Sequence, residues 1–265
     1  MDAPAIARAA ALLIEARRTR QPTDLPEACR PRSLEEAYAI QEAVTAGLGE
    51  TPVGWKIGAT DAAIRAQEGF DEPVSGRLFT GHVHAAPADL PAGLFTTFRN
   101  CETEFALRLG RNLPPRPEPY GRDEVMAAIA TLHPAVEVGD TRYRDRAAMG
   151  GIGVCADNSG GTELVMADGI ADWRGLDLPA LTVALEVDGE LRAEGSGRAV
   201  MGDPIEALVW LANHLSERNI GLQAGEIVTT GSCTGITKVE AGARVRADFG
   251  KLGKIAIHFG EHHHG

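Results

Sequence analysis

From Thr51 onward the chain is written as short β-branched runs cut by glycine and proline, and that texture narrows the fold more than any other feature. There are 31 glycines, enough for many tight turns between short elements. Strands are expected at Val53–Ala59, Glu102–Leu109, Ala135–Val138, Ile227–Thr230, Arg244–Phe249 and Lys254–Phe259. Leu181–Val187, the turn Asp188-Gly189 and Leu191–Ala193 read as a hairpin. Helical stretches interrupt them only twice, at Asp123–Leu132 and from Asp203-Pro204 to a stop at Gly221. Strands and helices therefore do not alternate, and no G-x-G-x-x-G opens a helix after a strand. A Rossmann fold or a barrel is disfavoured, and a mixed α+β fold built on a sheet roll is expected.

The first fifty residues differ. Met1 to Arg20 reads as an amphipathic helix, and Arg20 to Arg32 as a proline-bearing connector. Ser33 with Glu36 is a capping box ahead of Leu34, Ala37, Tyr38, Gln41, Val44 and Leu48 at helical spacing. The expected organisation is a helical segment over 1–50, a catalytic roll over 51–260 and a disordered tail over 261–265, whose three histidines are set aside.

The formal charge is 26 − 37 = −11, which repels phosphate backbones and excludes nucleic acid as the natural partner. It would repel an anionic substrate too, so an acid-binding site needs its own local cation. Cys29, Cys101, Cys155 and Cys233 form no C-x-x-C pair, which fits a reducing cytoplasm. No apolar run reaches the length of a membrane span.

Glu102-Thr103-Glu104 places two carboxylates on one face of a strand, with Phe105, Leu107 and Leu109 on the other. Taken alone, the pair also fits a solvated edge. Glu137, a lone acid in the apolar stretch Pro134–Val138, changes the balance. Three converging carboxylates need a counter-charge, and a hard dication such as Mg²⁺ or Mn²⁺ supplies one. Lys56 sits between Gly54 and Gly58, opposite the face of Val53, Trp55 and Ile57. A surface lysine on a twisted sheet has the same spacing; near a metal-bound acid it would neutralise the carboxylate and move protons, its pKa lowered by the dication. Asp157-Asn158-Ser159-Gly160-Gly161 and Thr230-Gly231-Ser232-Cys233-Thr234-Gly235 are polar loops that fit either carboxylate binding or simple turns.

The stretches GWKIGAT (Gly54–Thr60), SGRLF (Ser75–Phe79), CETEFAL (Cys101–Leu107), PAVEV (Pro134–Val138), ADN (Ala156–Asn158), and TTGSCTG with ADFGKLG (within Thr229–Gly253) occur in one order. In that order the chain resembles the 2-keto-4-pentenoate hydratase and 4-oxalocrotonate decarboxylase branch of the fumarylacetoacetate hydrolase superfamily. The resemblance implies that superfamily's mixed β-roll, flanking helices, and homo-oligomers built from dimers. It implies Mg²⁺ or Mn²⁺ on Glu102, Glu104 and Glu137, with Lys56 handling protons. Asp157 of the ADN stretch is expected beside Lys56 in catalysis, and Ser232 and Thr234 beside Lys56 in substrate binding.

The implied activity is a metal-dependent hydro-lyase acting on a 2-oxo-alkenoate or its 2-hydroxy-dienoate, through an enolate stabilised by the cation. One departure bears on this. Hydratases of the group usually carry an acid after the proline of a P-D-x-G segment, whereas here the segment is Pro73-Val74-Ser75-Gly76. Decarboxylation of a 2-oxo-enedioate is the first alternative, followed by C–C hydrolysis of an acylpyruvate and by a catalytically silent partner subunit.

Overall fold

The computed structural model describes residues 1–261; the histidine tail lies outside the described residues beyond Glu261. Thirteen strands and six α-helices follow one another as α1 (Ala3–Thr19), α2 (Leu34–Leu48), β1 (Pro52–Gly58), α3 (Ala62–Glu68), β2 (Val74–Phe79), β3 (Val83–Ala85), β4 (Ala88–Leu90), β5 (Asn100–Leu109), α4 (Arg122–Ala128), β6 (Ile129–Gly139), α5 (Arg146–Ala156), β7 (Gly161–Met166), β8 (Thr182–Val187), β9 (Glu190–Ser196), α6 (Pro204–Glu217), β10 (Ile227–Ser232), β11 (Thr237–Lys238), β12 (Arg244–Asp248) and β13 (Lys254–Phe259).

They form two sheets. One has the order β2-β1-β10-β5-β6-β7-β3, with β11 also on β5, and the other runs β4-β13-β12-β8-β9. Both mix parallel and antiparallel pairs, for β1 lies parallel to β10 while β10 is antiparallel to β5. The mixed α+β roll expected from the sequence is the observed architecture.

Alternation along β5 shows how the sequence builds it. Cys101, Phe105, Leu107 and Leu109 are at most 2% exposed and join the main core with Trp55, Val136, Val138 and Val228. A fully buried side chain of the size of Phe105 or Leu107 contributes about 1.5–3 kcal/mol by leaving water. The intervening residues Glu102 and Glu104 are thereby held on the opposite face.

The N-terminal helices pack as a second cluster. Ala9, Leu13, Ala37, Ile40 and Val44 meet Cys155 and Ala156 of α5. The Ser33 cap forms, accepting from Glu36 N at 3.2 Å, but the Glu36 carboxylate reaches Arg32 N at 2.7 Å instead of completing the box. Gln41 ties α2 to the roll by donating to the carbonyls of Ser75 (2.9 Å) and Cys155 (2.5 Å). No helix among the described residues is long and apolar enough to cross a membrane.

Three helices depart from the sequence reading: α3 and α5 are helices it does not anticipate, and α4 is shorter than expected. The helix expected over Asp123–Leu132 stops at Ala128, and β6 runs from Ile129 straight through His133-Pro134. Leu132 is fully buried between strands, and that burial outweighs local helix preference. Pro134 is tolerated because β7 pairs with β6 only from Ala135 onward.

Candidate active site

Strand register brings the acidic residues together. Glu102 lies directly across from Glu137 in the β5–β6 pair, and Glu104 sits two residues along the same face. On the other side of β5, β10 pairs through Thr229↔Ala106 and then Ser232↔Glu104, so one extra residue bulges out between them. Gly231 is at that bulge with φ 102°, and a Cβ there would stand 2.1 Å from Thr60 Oγ1. Only glycine fits, and its N–H donates to Glu104 Oε2 at 2.6 Å.

Lys56 joins from β1, whose register sets Lys56 beside Thr229. Its Nζ lies 3.1 Å from Glu137 Oε1 and donates to the Ser159 carbonyl at 2.9 Å. The glycines around it act differently from each other. Gly58 leaves room, since a Cβ there would be 3.4 Å from Nζ, whereas Gly54 is demanded by the Ile227 carbonyl, 1.9 Å from its would-be Cβ. Glu137 Oε1 is buried and makes no hydrogen bond of good geometry even to Lys56, while Thr229 Oγ1 donates to Oε2 at a long 3.4 Å.

The electrostatics follow from burial. Burial, followed by the Glu137 charge, lifts the Glu102 pKa to about 7 against the pull of Lys56. Burial and the charges of Glu137 and Glu102 hold Glu104 well above the carboxylate range, opposed by Lys56 and the Gly231 N–H. For Lys56, burial works downward, but the charges of Glu137, Glu102 and Glu104 outweigh it and raise the pKa. The protein's own carboxylates thus raise this lysine.

The three glutamates share one field without forming a finished ligand cage. Among the described residues no three His, Cys, Asp or Glu side chains are gathered closely enough to hold a metal ion. Glu104 is turned to the Gly231 N–H and Glu137 to Lys56. The donor chemistry still suits a hard cation, because the buried Glu104 and Glu137 and the half-buried Glu102 face one ammonium and Glu137 Oε1 makes no hydrogen bond of good geometry.

A cavity of about 320 Å³ opens beside this cluster, with Lys56, Glu102 and Ser232 in its wall and Glu104 and Glu137 behind. Val74 also lines it and is only 4% exposed, so the position where the sequence resemblance led to the expectation of an acid presents an apolar side chain to the cavity. Glu72 does not replace that acid, since its carboxylate takes the Trp210 indole N–H at 3.1 Å.

Two expected residues are not brought to the cavity. Asp157 is 1% exposed and consumed by arginines: Arg142 Nε at 2.7 Å, the Arg142 N–H at 2.8 Å and Arg17 at 3.3 Å. Its carboxylate is held by these arginines and does not line the cavity. Thr234 lies on the opposite face of β5, its hydroxyl 2.8 Å from that of Thr103. Ser232 does reach the cavity, and its hydroxyl donates to the Gly235 carbonyl at 2.8 Å. The ADN loop acts from behind: Asn158 brackets Arg77 N and O at 2.6 and 3.0 Å, and Ser159 offers its carbonyl to Lys56.

Sequence reading missed the cavity's outer wall of Thr60, Ile64, Glu68, Phe70, Arg146 and Ile236. The Asp61 cap of α3, accepting from Ala63 N and Ile64 N, was a legible signal for Ile64 and Glu68. Nothing local marks Arg146.

The fumarylacetoacetate hydrolase C-terminal family matches residues 60–259. A 2-keto-4-pentenoate hydratase of Paraburkholderia phymatum is 33% identical over 95% of this chain and 96% of its own length. A 4-oxalocrotonate decarboxylase of Pseudomonas putida is 30% identical over 89% of this chain and 88% of that one. Among solved structures, the 4-oxalocrotonate decarboxylase of Pseudomonas putida G7, complexed with magnesium and adipate, superposes with a TM-score of 0.87 at 26% identity, covering 98% of both chains.

Proposed function

Because the chain belongs to the fumarylacetoacetate hydrolase family, we propose that it is a divalent-metal lyase that hydrates a short 2-oxo-alkenoate, or the 2-hydroxy-dienoate in equilibrium with it. The observation that carries this reading is the shared face of Glu102, Glu104, Glu137 and Lys56 beside one cavity. Glu102, Glu104 and Glu137 would hold Mg²⁺ or Mn²⁺, and the ion would supply Lewis-acid stabilisation of the charge that builds on the substrate's ketone oxygen.

The remaining work falls to this chain's own groups. Lys56, kept charged by its carboxylate neighbours, holds a proton at Nζ and neutralises the incoming acid. The Ser232 hydroxyl stands in the cavity wall and would donate to the substrate carboxylate on giving up its bond to the Gly235 carbonyl. Ile57 and Val74 line the same cavity with apolar surface and limit bulk water. In hydration the dienol takes a proton at its far carbon, and the resulting enone adds water at C4. A homo-oligomer built from dimers is part of this proposal.

Val74 supports a second reading, because an apolar side chain cannot orient attacking water. In decarboxylation no water attacks. The bond to the distal carboxylate breaks, its electron pair moves through the alkene to the ketone oxygen, CO₂ departs, and the enolate is then protonated. A Mg²⁺-supplemented comparison of 2-oxo-enoates with 2-oxo-enedioates, read by ultraviolet loss and CO₂, separates the two. Metal-dependent loss of the monoacid without CO₂ is the result that bears out hydration. CO₂ from the enedioate alone would move the assignment to the second reading, and no metal-dependent turnover of either would overturn both.

A further inference from the structure

The cavity wall holds two cationic side chains among the described residues, Lys56 and Arg146. Their surroundings differ. Lys56 has a side chain 6% exposed and is engaged by Glu137 and the Ser159 carbonyl, so it marks the closed end. The Arg146 side chain is 41% exposed and marks the rim.

Arg146 is incompletely used. Its Nη2 donates to Glu68 Oε1 at 2.9 Å, and no other partner is found for its guanidinium among the described residues. A guanidinium carries five N–H donors in a planar fork, so one edge remains for a second acceptor. Glu68, 20% exposed and at the end of α3, fixes the direction of that fork. The other acid of the outer wall, Asp61, is spent on the α3 backbone at 2.8 and 3.1 Å. Ile64, Phe70, Val154 and Ile236 give the same cavity much of its apolar lining. On a chain of formal charge −11, a cation with spare donors in a mainly apolar cavity is a specific place for an anion.

We propose that Arg146, oriented by Glu68, is the specificity-determining residue that receives a carboxylate at the far end of the substrate, so that the cavity takes a 2-oxo dicarboxylate with an acid at each end. This rests on the reading that the site binds 2-oxo acids, and it favours the enedioate of the two substrates considered above. The fork accepts the distal carboxylate through charge-assisted hydrogen bonds while Lys56 faces the 2-oxo-acid end.

The test uses the Mg²⁺-loaded protein and two unreactive probes of equal chain length, 2-oxoadipate and 2-oxohexanoate, with calorimetric binding. The wild type should bind the dianion at least about tenfold tighter. Arg146→Met should collapse that ratio towards one, and Glu68→Gln, which removes the competing carboxylate, should preserve or increase it. Equal affinities in the wild type, a ratio unchanged in Arg146→Met, or no binding of either probe would each overturn the proposal. Turnover is read separately: a preserved preference with no reaction of any 2-oxo-enoate would remove the lyase reading and leave the assignment of Arg146 standing.

Discussion

Replacing Lys56 by methionine should unsettle the fold as well as the chemistry, because it strands a carboxylate in the interior. The Lys56 and Glu137 side chains are 6% and 2% exposed and lie 3.1 Å apart. Removing one partner of such a pair costs about 3–5 kcal/mol, since the survivor keeps its desolvation penalty without its counter-charge. Here the loss is compounded, because Lys56 also faces Glu102 and Glu104. At about 2–4 °C per kcal/mol for a chain of this size, the melting temperature in chelator should fall by roughly 6–20 °C. Urea denaturation with and without Mg²⁺ is the assay. The deficit should shrink with Mg²⁺, which restores positive charge to the cluster, and should also shrink in mild acid, where the carboxyls take up protons. The double variant Lys56→Met/Glu137→Gln should regain at least about 2 kcal/mol over Lys56→Met alone, as neutralising both partners relieves the stranded charge. A Lys56→Met midpoint within about 0.5 kcal/mol of wild type in chelator would refute the argument that this pair is buried and coupled.

Three more outcomes follow from the same geometry. Since burial and Glu137 raise the Glu102 pKa to about 7, ligation must displace a proton, so Mg²⁺ affinity should climb with pH up to about 7 and then level; a flat titration from pH 5.5 to 8 would contradict it. Asp157→Asn should destabilise the protein by about 2–4 kcal/mol through its arginine partners, with urea midpoint and kcat measured side by side; a kinetic loss at unchanged stability would restore it as a catalytic residue. His82 Nδ1 lies 2.8 Å from the buried Glu163 carboxylate, and that hydrogen bond raises the histidine's pKa above its ordinary value. The folded state therefore binds this proton more tightly, giving stability that is fully present below the unfolded pKa and lost as pH rises through the folded one. Melting of His82→Gln should match wild type best at alkaline pH and worst near pH 6.

What could be read from the chain alone was whatever depends on local pattern. The alternation of Glu102 and Glu104 against Phe105, Leu107 and Leu109 gave a strand with acids on one face, and β5 has that arrangement. The Ser33 and Asp203 caps marked the starts of α2 and α6. The run Lys254–Phe259 is β13 to the residue. These features rest on side-chain period and capping, which act over a few residues.

Tertiary packing decided everything that depends on which strand lies beside which. The β5–β6 register set Glu102 across from Glu137, and the β10 bulge at Gly231 aimed a backbone N–H at Glu104. Asp157 has the local setting of a site residue, yet Arg142 and Arg17, distant from it along the chain, claim its carboxylate. Arg146 has no local distinction and reaches the cavity only because α5 packs beside α3. Local pattern fixes the direction in which a side chain leaves its own strand or helix. The charge it meets there comes from chain far away, and that meeting sets both its protonation and its use.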